Sequence, residues 1–380
     1  MQADLTPFDL EATVEQLHRE ATAHTGLSNF GPRDYREPFA MLAAHLASPE
    51  LSDVGRAMYH GDLVTALCGR LIREDEWKKH PEYKQRSIPA PLVICGVPRT
   101  GTTALHKLLS VDPQFQGLDN WLTSWPKPRP PRADWNDEQG YQEARARLGK
   151  FFELIPEMRI SHEMVADEVD ECLEVLRLDF VANRSPSSYD LPEYDAWYQA
   201  QDERGVYRRL ADTIRLIGLN DDRTWLLKNP GHFAQIEALL DAFPDARVII
   251  THRDPMKSLP SLCSVLAGVR RMTYADPDLT RLGPREVAYW GKAKQKTEAF
   301  RKQHSSDQFL DVDHRDLHRD PMDVVRRIYD HFGLELTDET ARAMEDWLAA
   351  NPAGKHGEHR YELADYGITE KDIRDAMDKA

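Results

Sequence analysis

Residues 96–103, Gly96-Val97-Pro98-Arg99-Thr100-Gly101-Thr102-Thr103, place two glycines around an arginine and follow them with hydroxyl side chains. Glycines in such a turn let backbone N–H groups approach an anion closely, and a helix starting just beyond aims its positive end at the same point. The apolar run PLVICGV before the turn and TTALHKLLSV after it supply the strand and helix that this mechanism needs. The spacing is that of a phosphate-binding loop. Nucleoside triphosphatases, however, place Lys-Ser/Thr after the second glycine, and Thr102-Thr103 stands there instead. The partner of the β- and γ-phosphates is therefore missing, while Arg99 puts a cation inside the loop. A smaller anion, bound without obligatory magnesium, is expected.

Two further cations fall at strand ends. Lys228 follows the apolar run Trp225-Leu226-Leu227, which would carry it to the sheet edge where Arg99 lies. Thr251-His252-Arg253 ends another such run, and Ser261 follows Arg253 by eight residues in a helical stretch. A guanidinium and a hydroxyl at the carboxyl end of a parallel sheet suit a terminal phosphate. The blander alternatives are a strand-end lysine reaching solvent, an Arg253-Asp254 helix-start pair and a solvated Ser261. The cysteines, Cys68, Cys95, Cys172 and Cys263, form no CxxC pair and no Cys/His cluster at zinc spacing, so no metal is expected.

A proton acceptor is sought in SHEMVADEVDECLEVL, residues 161–176. Read as a helix, it puts Glu163, Asp167, Asp170 and Glu174 on a polar face and Val165, Val169, Cys172 and Leu176 on an apolar one. Glu171 falls on the boundary, where a half-buried carboxylate suits general-base work. His162 and His106 could also approach the site, although a lone histidine is more often a packing residue.

PLVICGVPRTGTTALHKLLSVDP resembles the 5′-phosphosulfate loop of sulfotransferases that use 3′-phosphoadenosine 5′-phosphosulfate, in the bacterial branch where Pro-Arg-Thr-Gly-Thr-Thr replaces the Pro-Lys-Ser-Gly-Thr-Thr of the animal cytosolic enzymes. VIITHRDPMKSLPSL resembles the family's 3′-phosphate segment, with Arg253 and Ser261 in place. The likeness continues through WLLKNPGHFAQIEALLDAFPDARVI and GKHGEHRYELADYGI, and more weakly in the N-terminal helices. It implies in-line transfer of a sulfuryl group to a hydroxyl acceptor: a phenol, sterol, alcohol or glycolipid. It implies donor binding by Arg99, Thr100, Gly101, Thr102, Thr103, Arg253 and Ser261, with Lys355 and Gly357 in a segment folding over the nucleotide. Lys228 matches the family's catalytic lysine. The histidine that serves as base in the animal enzymes lies two residues after that lysine; Pro230 occupies this place and His232 comes two residues later. The catalytic set expected is Arg99, Lys228 and Glu171, the last helped or replaced by His232.

The elements that must position these residues follow from periodicity. Residues 1–85 read as a helical N-terminal extension, with Leu10, Val14 and Leu17 and then Met41, Leu42 and Leu46 at helical spacing. Residues 86–380 read as an α/β domain, a P-loop-type parallel sheet flanked by helices, with strand-to-helix units at PLVICGV, TWLLKNPGHFAQIEALLDAF, ARVIITHRDPMKSLPSLCSVL and QFLDV. Residues 117–136 hold Pro126, Pro128, Pro130 and Pro131 beside Trp121, Trp125 and Trp135, and read as a long loop. Together with FELIPEM and SSYDLPEYDAWY this loop is either an apolar wall for the acceptor or core.

With 49 Lys+Arg against 64 Asp+Glu, the 380 residues carry a net charge of −15, which argues against nucleic acid as a partner. No segment approaches the ~18–20 apolar residues of a membrane span, and an acidic N-terminus is unlike a signal peptide. A cytoplasmic enzyme with a small-molecule acceptor is the expectation. A P-loop kinase of small metabolites and a non-catalytic nucleotide-binding protein remain as alternatives, and no pattern reveals an oligomeric state.

Overall fold

The computed structural model describes residues 8–154, 164–352 and 362–378. Five strands, β1 (Leu92–Gly96), β2 (Phe115–Gln116), β3 (Thr224–Lys228), β4 (Arg247–His252) and β5 (Phe309–Asp313), form one sheet in the order β2-β3-β1-β4-β5. Every pairing is parallel. Helices cover both faces, so a central strand has no polar face to offer: all five residues of β1 are buried. The α/β architecture expected from the sequence is the one observed.

The chain leaves β1 toward one side of the sheet, to β2 and β3, and then crosses to β4 and β5 on the other. Loops diverge at such a switch point and leave a crevice at the carboxyl ends of the strands. Register fixes what faces the crevice: Ile94 lies beside Lys228, and Gly96 beside Thr251.

Four of the strands fall where apolar runs predict them. β2, two residues long, is too short to leave a periodic signal. The 117–136 stretch is not all loop, because Asn120–Ser124 closes a helical turn before the first proline, Pro126. The helix expected over 161–176 is a larger correction. Residues 164–171 are turn and extended backbone, and the helix is only Cys172–Leu176 with Glu171 as its N-cap. Tertiary pairing outweighs local periodicity here: Val169 bridges Asp119, Asp170 N donates to Leu118 O (2.7 Å), and Asn120 N donates to Glu168 O (2.9 Å). Among the described residues 164–171, the polar and apolar helix faces read from the sequence therefore do not exist.

The N-terminal helices pack into the apolar core that covers one face of the sheet: Leu17, Phe39, Leu67 and Leu71 share a cluster with Leu227, Ile250 and Trp290. A buried polar joint accompanies this contact. Arg70 and Arg73, on the Asp53–Lys79 helix, both reach Asp179, through Arg70 Nη1 (2.6 Å) and Arg73 Nη2 (2.7 Å) to Oδ1. Burial alone would raise the Asp179 pKa; Arg73, with Arg209 and Arg70, outweighs it and holds the carboxyl at about 2.

Because that pKa lies below its unfolded value, the joint contributes fully above about pH 4 and is lost as pH falls toward 2. Asp179→Asn leaves guanidinium groups buried without their counter-charge and is expected to lower the unfolding free energy at pH 7 by about 3–5 kcal/mol. Urea denaturation measures this, and a loss below about 1 kcal/mol would show that the joint contributes little.

Candidate functional site

The phosphate loop runs from the end of β1 into the Thr102–Leu109 helix. Gly96 has φ 145°, and a Cβ there would sit 2.5 Å from Thr251 O. Gly101 has φ 95°, again a conformation suited to glycine. Between them Arg99 takes φ 68°, which is uncommon for a residue with a side chain. Its side chain and backbone are both tied down: Arg99 Nε donates to Ser261 Oγ (3.1 Å), and Arg99 O accepts from Arg253 Nη1 (3.0 Å). The two sites read separately in the sequence are thus one interlocked unit. Thr100 is buried inside it, donating to Val97 O (2.7 Å) and lying 2.5 Å from Thr251 Oγ1.

Lys228, at the end of β3, joins this unit from the other side. Its side chain is 2 % exposed, Nζ donates to Thr103 Oγ1 (3.2 Å), and it forms an ion pair with Glu171 Oε1. Glu171 comes from the segment pinned to residues 118–121, and its side chain is 18 % exposed. Sequence reasoning placed it near the site for a reason that fails, the helix boundary; the extended segment delivers it. Behind it, Asp170 accepts from Glu171 N (2.7 Å) and Asn120 Nδ2 (2.5 Å). Burial, then the charges of Glu174 and Glu171, raise the Asp170 pKa.

The other proton-transfer candidates fare differently. His232 is fully buried, with Nδ1 2.8 Å from Tyr207 OH, and burial followed by the Lys228 charge pushes it down to about 3. His106, on the Thr102–Leu109 helix, is 1 % exposed and is lowered to about 3 by the same two causes. Glu174 lies between Arg177 and Arg184, and Asp167 pairs with Arg132. His162, Glu163, Lys355 and Gly357 lie outside the described residues.

His314 was missed. It follows β5 at the same sheet edge, and its Cδ2 would lie 3.5 Å from a Cβ placed on Gly101. Burial, then Arg253, with His318 and Arg99 also acting, push it down to about 4. The usable signal was positional: polar residues just after any strand of this sheet reach the crevice.

Arg99, Lys228 and Arg253 thus surround a glycine-rich loop with N–H groups at a helix start. A nucleotide bearing several anionic oxygens fits this donor set. On the flank toward β2 lies a cavity of about 790 Å³, with Lys107, Pro131, Trp135 and Glu168 among its walls. Of the aromatics considered for an acceptor wall, Trp121, Phe152, Tyr189, Tyr194 and Tyr198 are core residues, as Trp135 also is, and Trp125 and Trp197 pack against that core.

The profile of the sulfotransferase family matches residues 91–338. The omega-hydroxy-beta-dihydromenaquinone-9 sulfotransferases Stf3 of Mycobacterium bovis and Mycobacterium tuberculosis are each 25% identical over 305 residues, spanning 76% of this chain and 74% of theirs. Among solved structures, sulfotransferase STF1 from Mycobacterium tuberculosis is 35% identical with a TM-score of 0.86, covering 97% of this chain and 99% of that one. Sulfotransferase STF9 from Mycobacterium avium is 27% identical with a TM-score of 0.89, covering 98% and 97%.

The interlock makes Arg253 the test of the anion site. Arg253→Ala removes a charged donor and a brace of Arg99, and should weaken calorimetric binding of adenosine 3′,5′-bisphosphate by about 10- to 100-fold. Unchanged affinity would remove Arg253 from the site.

Proposed function

Because the chain belongs to the sulfotransferase family, we propose that it moves a sulfuryl group from 3′-phosphoadenosine 5′-phosphosulfate to the hydroxyl of a small-molecule acceptor. The observation that carries this reading is the placement of Lys228 over the phosphate loop, held by Thr103 and Glu171 and flanked by the Arg99-Arg253-Ser261 unit. The Stf3 relatives are named for a hydroxylated acceptor, which supports a hydroxyl nucleophile here.

The reaction is an in-line displacement at sulfur, with charge spread over three equatorial oxygens and a phosphate that departs with added negative charge. Catalysis of this kind is mainly electrostatic. Arg99 and Lys228 are the cations for the oxygen that leaves. Arg253 and Ser261 take the 3′-phosphate, and residues 100–103 supply backbone and hydroxyl donors to the 5′ side. Lys355 and Gly357 complete the proposed donor site over the nucleotide.

Glu171 is the counter-charge of Lys228. An ammonium so enclosed needs a partner until the donor arrives, and the carboxylate that provides it also aims the lysine. The proposal for Glu171 is therefore a positioning role rather than the general base read from the sequence. His232, enclosed against Tyr207, supports the core beneath Lys228.

Radiolabelled sulfate transfer to a panel of phenols, sterols and alcohols, with mass detection of the sulfated product, tests the activity; bisphosphate binding that demands magnesium would count against it. Lys228→Ala should lower kcat about 10²–10³-fold. Glu171→Gln should lower kcat about 10-fold or more with the donor KM little changed, since the lysine is misdirected rather than lost. Full turnover in the glutamine variant would sink the positioning role.

A further inference from the structure

Beside Lys228, the Thr102–Leu109 helix and the 164–170 segment line a second, partly open cavity of about 20 Å³. Thr103, His106, Asn120, Asp170 and Lys228 are among its walls. A space of roughly 10–15 Å³ holds one water if two to four polar groups meet it. This one therefore suits a single oxygen.

Two wall residues carry an acceptor atom with nothing to accept. His106 and Asn120 are 1 % and 6 % exposed, and neither His106 Nε2 nor Asn120 Oδ1 has a hydrogen-bond partner. The Asn120 amide nitrogen is spent on Asp170 Oδ2, so Oδ1 is the atom left over. His106 also hydrogen-bonds the backbone of Leu226. With Nε2 unpartnered, that bond belongs to Nδ1 as donor, and the lone pair stays on Nε2. Burial and the Lys228 charge keep the ring neutral at pH 7.

An enclosed acceptor left unmet is destabilising, so two of them on residues that line one space call for a donor. A water in that space would meet both and accept from Thr103 or Lys228. An alcohol oxygen taking its place brings a single O–H, and the imidazole nitrogen is the more basic of the two acceptors. The larger cavity shares Lys107, Glu168 and Val169 with the small one, so the body of an acceptor has a place next to the seat of its hydroxyl.

We propose that the small cavity seats the acceptor's reacting hydroxyl and that His106 Nε2 takes its proton. The proposal rests on the sulfuryl-transfer reading above. In the step, the acceptor oxygen bonds to sulfur as the bridging S–O bond breaks. The electron pair of that bond leaves with adenosine 3′,5′-bisphosphate, beside Arg99 and Lys228. The hydroxyl proton passes to His106, which returns it to water after product release. No strong base is needed, because the attacking oxygen becomes strongly acidic as its bond to sulfur forms; a bare lone pair in the right place is enough.

Nitrogen NMR of His106 in the resting protein tests the seat without any substrate. A ring protonated at Nδ1 and bare at Nε2 is expected; one protonated at Nε2 overturns the proposal. Transfer of labelled sulfate to 1-octanol and to 4-nitrophenol tests the step, with calorimetric binding of adenosine 3′,5′-bisphosphate confirming an intact donor site in each variant. His106→Phe should slow transfer about 100-fold or more at unchanged donor affinity, and His106→Gln, which keeps an acceptor oxygen, should recover part of that loss. Equal losses in both variants, or a phenylalanine variant within about threefold of the parent, would overturn the assignment. A parent protein that binds the bisphosphate but neither sulfates a probe nor hydrolyses the donor would instead count against sulfuryl transfer itself, and the NMR result would still decide whether His106 presents a bare nitrogen.

Discussion

A lysine ammonium at the end of a buried strand has to be paired, and much of the site follows from that requirement. Lys228 reaches the crevice because β3 is parallel to β1 and ends beside Ile94, with 2 % of its side chain exposed. An unpaired charge in such a place costs several kcal/mol. Glu171 supplies the pairing, and it arrives by a route that excludes a long helix: residues 166–170 bond to residues 118–121. The short helix after Glu171 is then anchored from the N-terminal region. Asp62, on the Asp53–Lys79 helix, accepts from Arg177 Nη1 (3.0 Å) and pairs with Arg184. The N-terminal helices therefore bear on Lys228 through Asp62, Arg177, Glu174 and Glu171 in turn.

The same chain of contacts explains which parts of the site were legible in the sequence. The phosphate loop, Lys228, Arg253 and Ser261 could be read because each is tied to a buried parallel strand, which leaves a dense apolar run followed at once by its polar residue. Glu171 was located by an argument about helix faces that the backbone contradicts. Residues 164–171 have acceptable helical periodicity, but their N–H and C=O groups find partners fifty residues away, and periodicity carries no trace of that. β2 was invisible for a simpler reason, since two residues cannot alternate. His314 was hidden because its strand, β5, has polar residues within it, so no dense apolar run marks where the strand ends.

The net charge of −15 does not conflict with an anionic donor. Many of the carboxylates are committed to arginines: Asp179 to Arg70 and Arg73, Asp62 to Arg177 and Arg184, Asp167 to Arg132. At physiological salt, unpaired surface charges are screened over about 8 Å. The field at the loop is set by nearby groups, among them Arg99, Lys228 and Arg253, with Glu171 paired to Lys228. His314 adds no charge near neutral pH, held at about 4 by burial and by the cations around it.

His106 and His232 show why burial and a lowered pKa do not by themselves identify a catalytic histidine. Both rings are enclosed, both are pushed to about 3, and both owe part of that to Lys228. Each also has an Nε2 without a partner. The difference lies in what adjoins them. His232 spends Nδ1 on Tyr207 and packs edge-on against that ring, with centroids 5.4 Å apart. His106 stands at a space it shares with Lys228 and Thr103. Chemistry needs room for a second molecule's atom, and His106 and Lys228 line one such space. The histidine favoured by spacing after Lys228 packs against Tyr207, whereas His106, which the sequence left open between approaching the site and packing, lines the space beside Lys228.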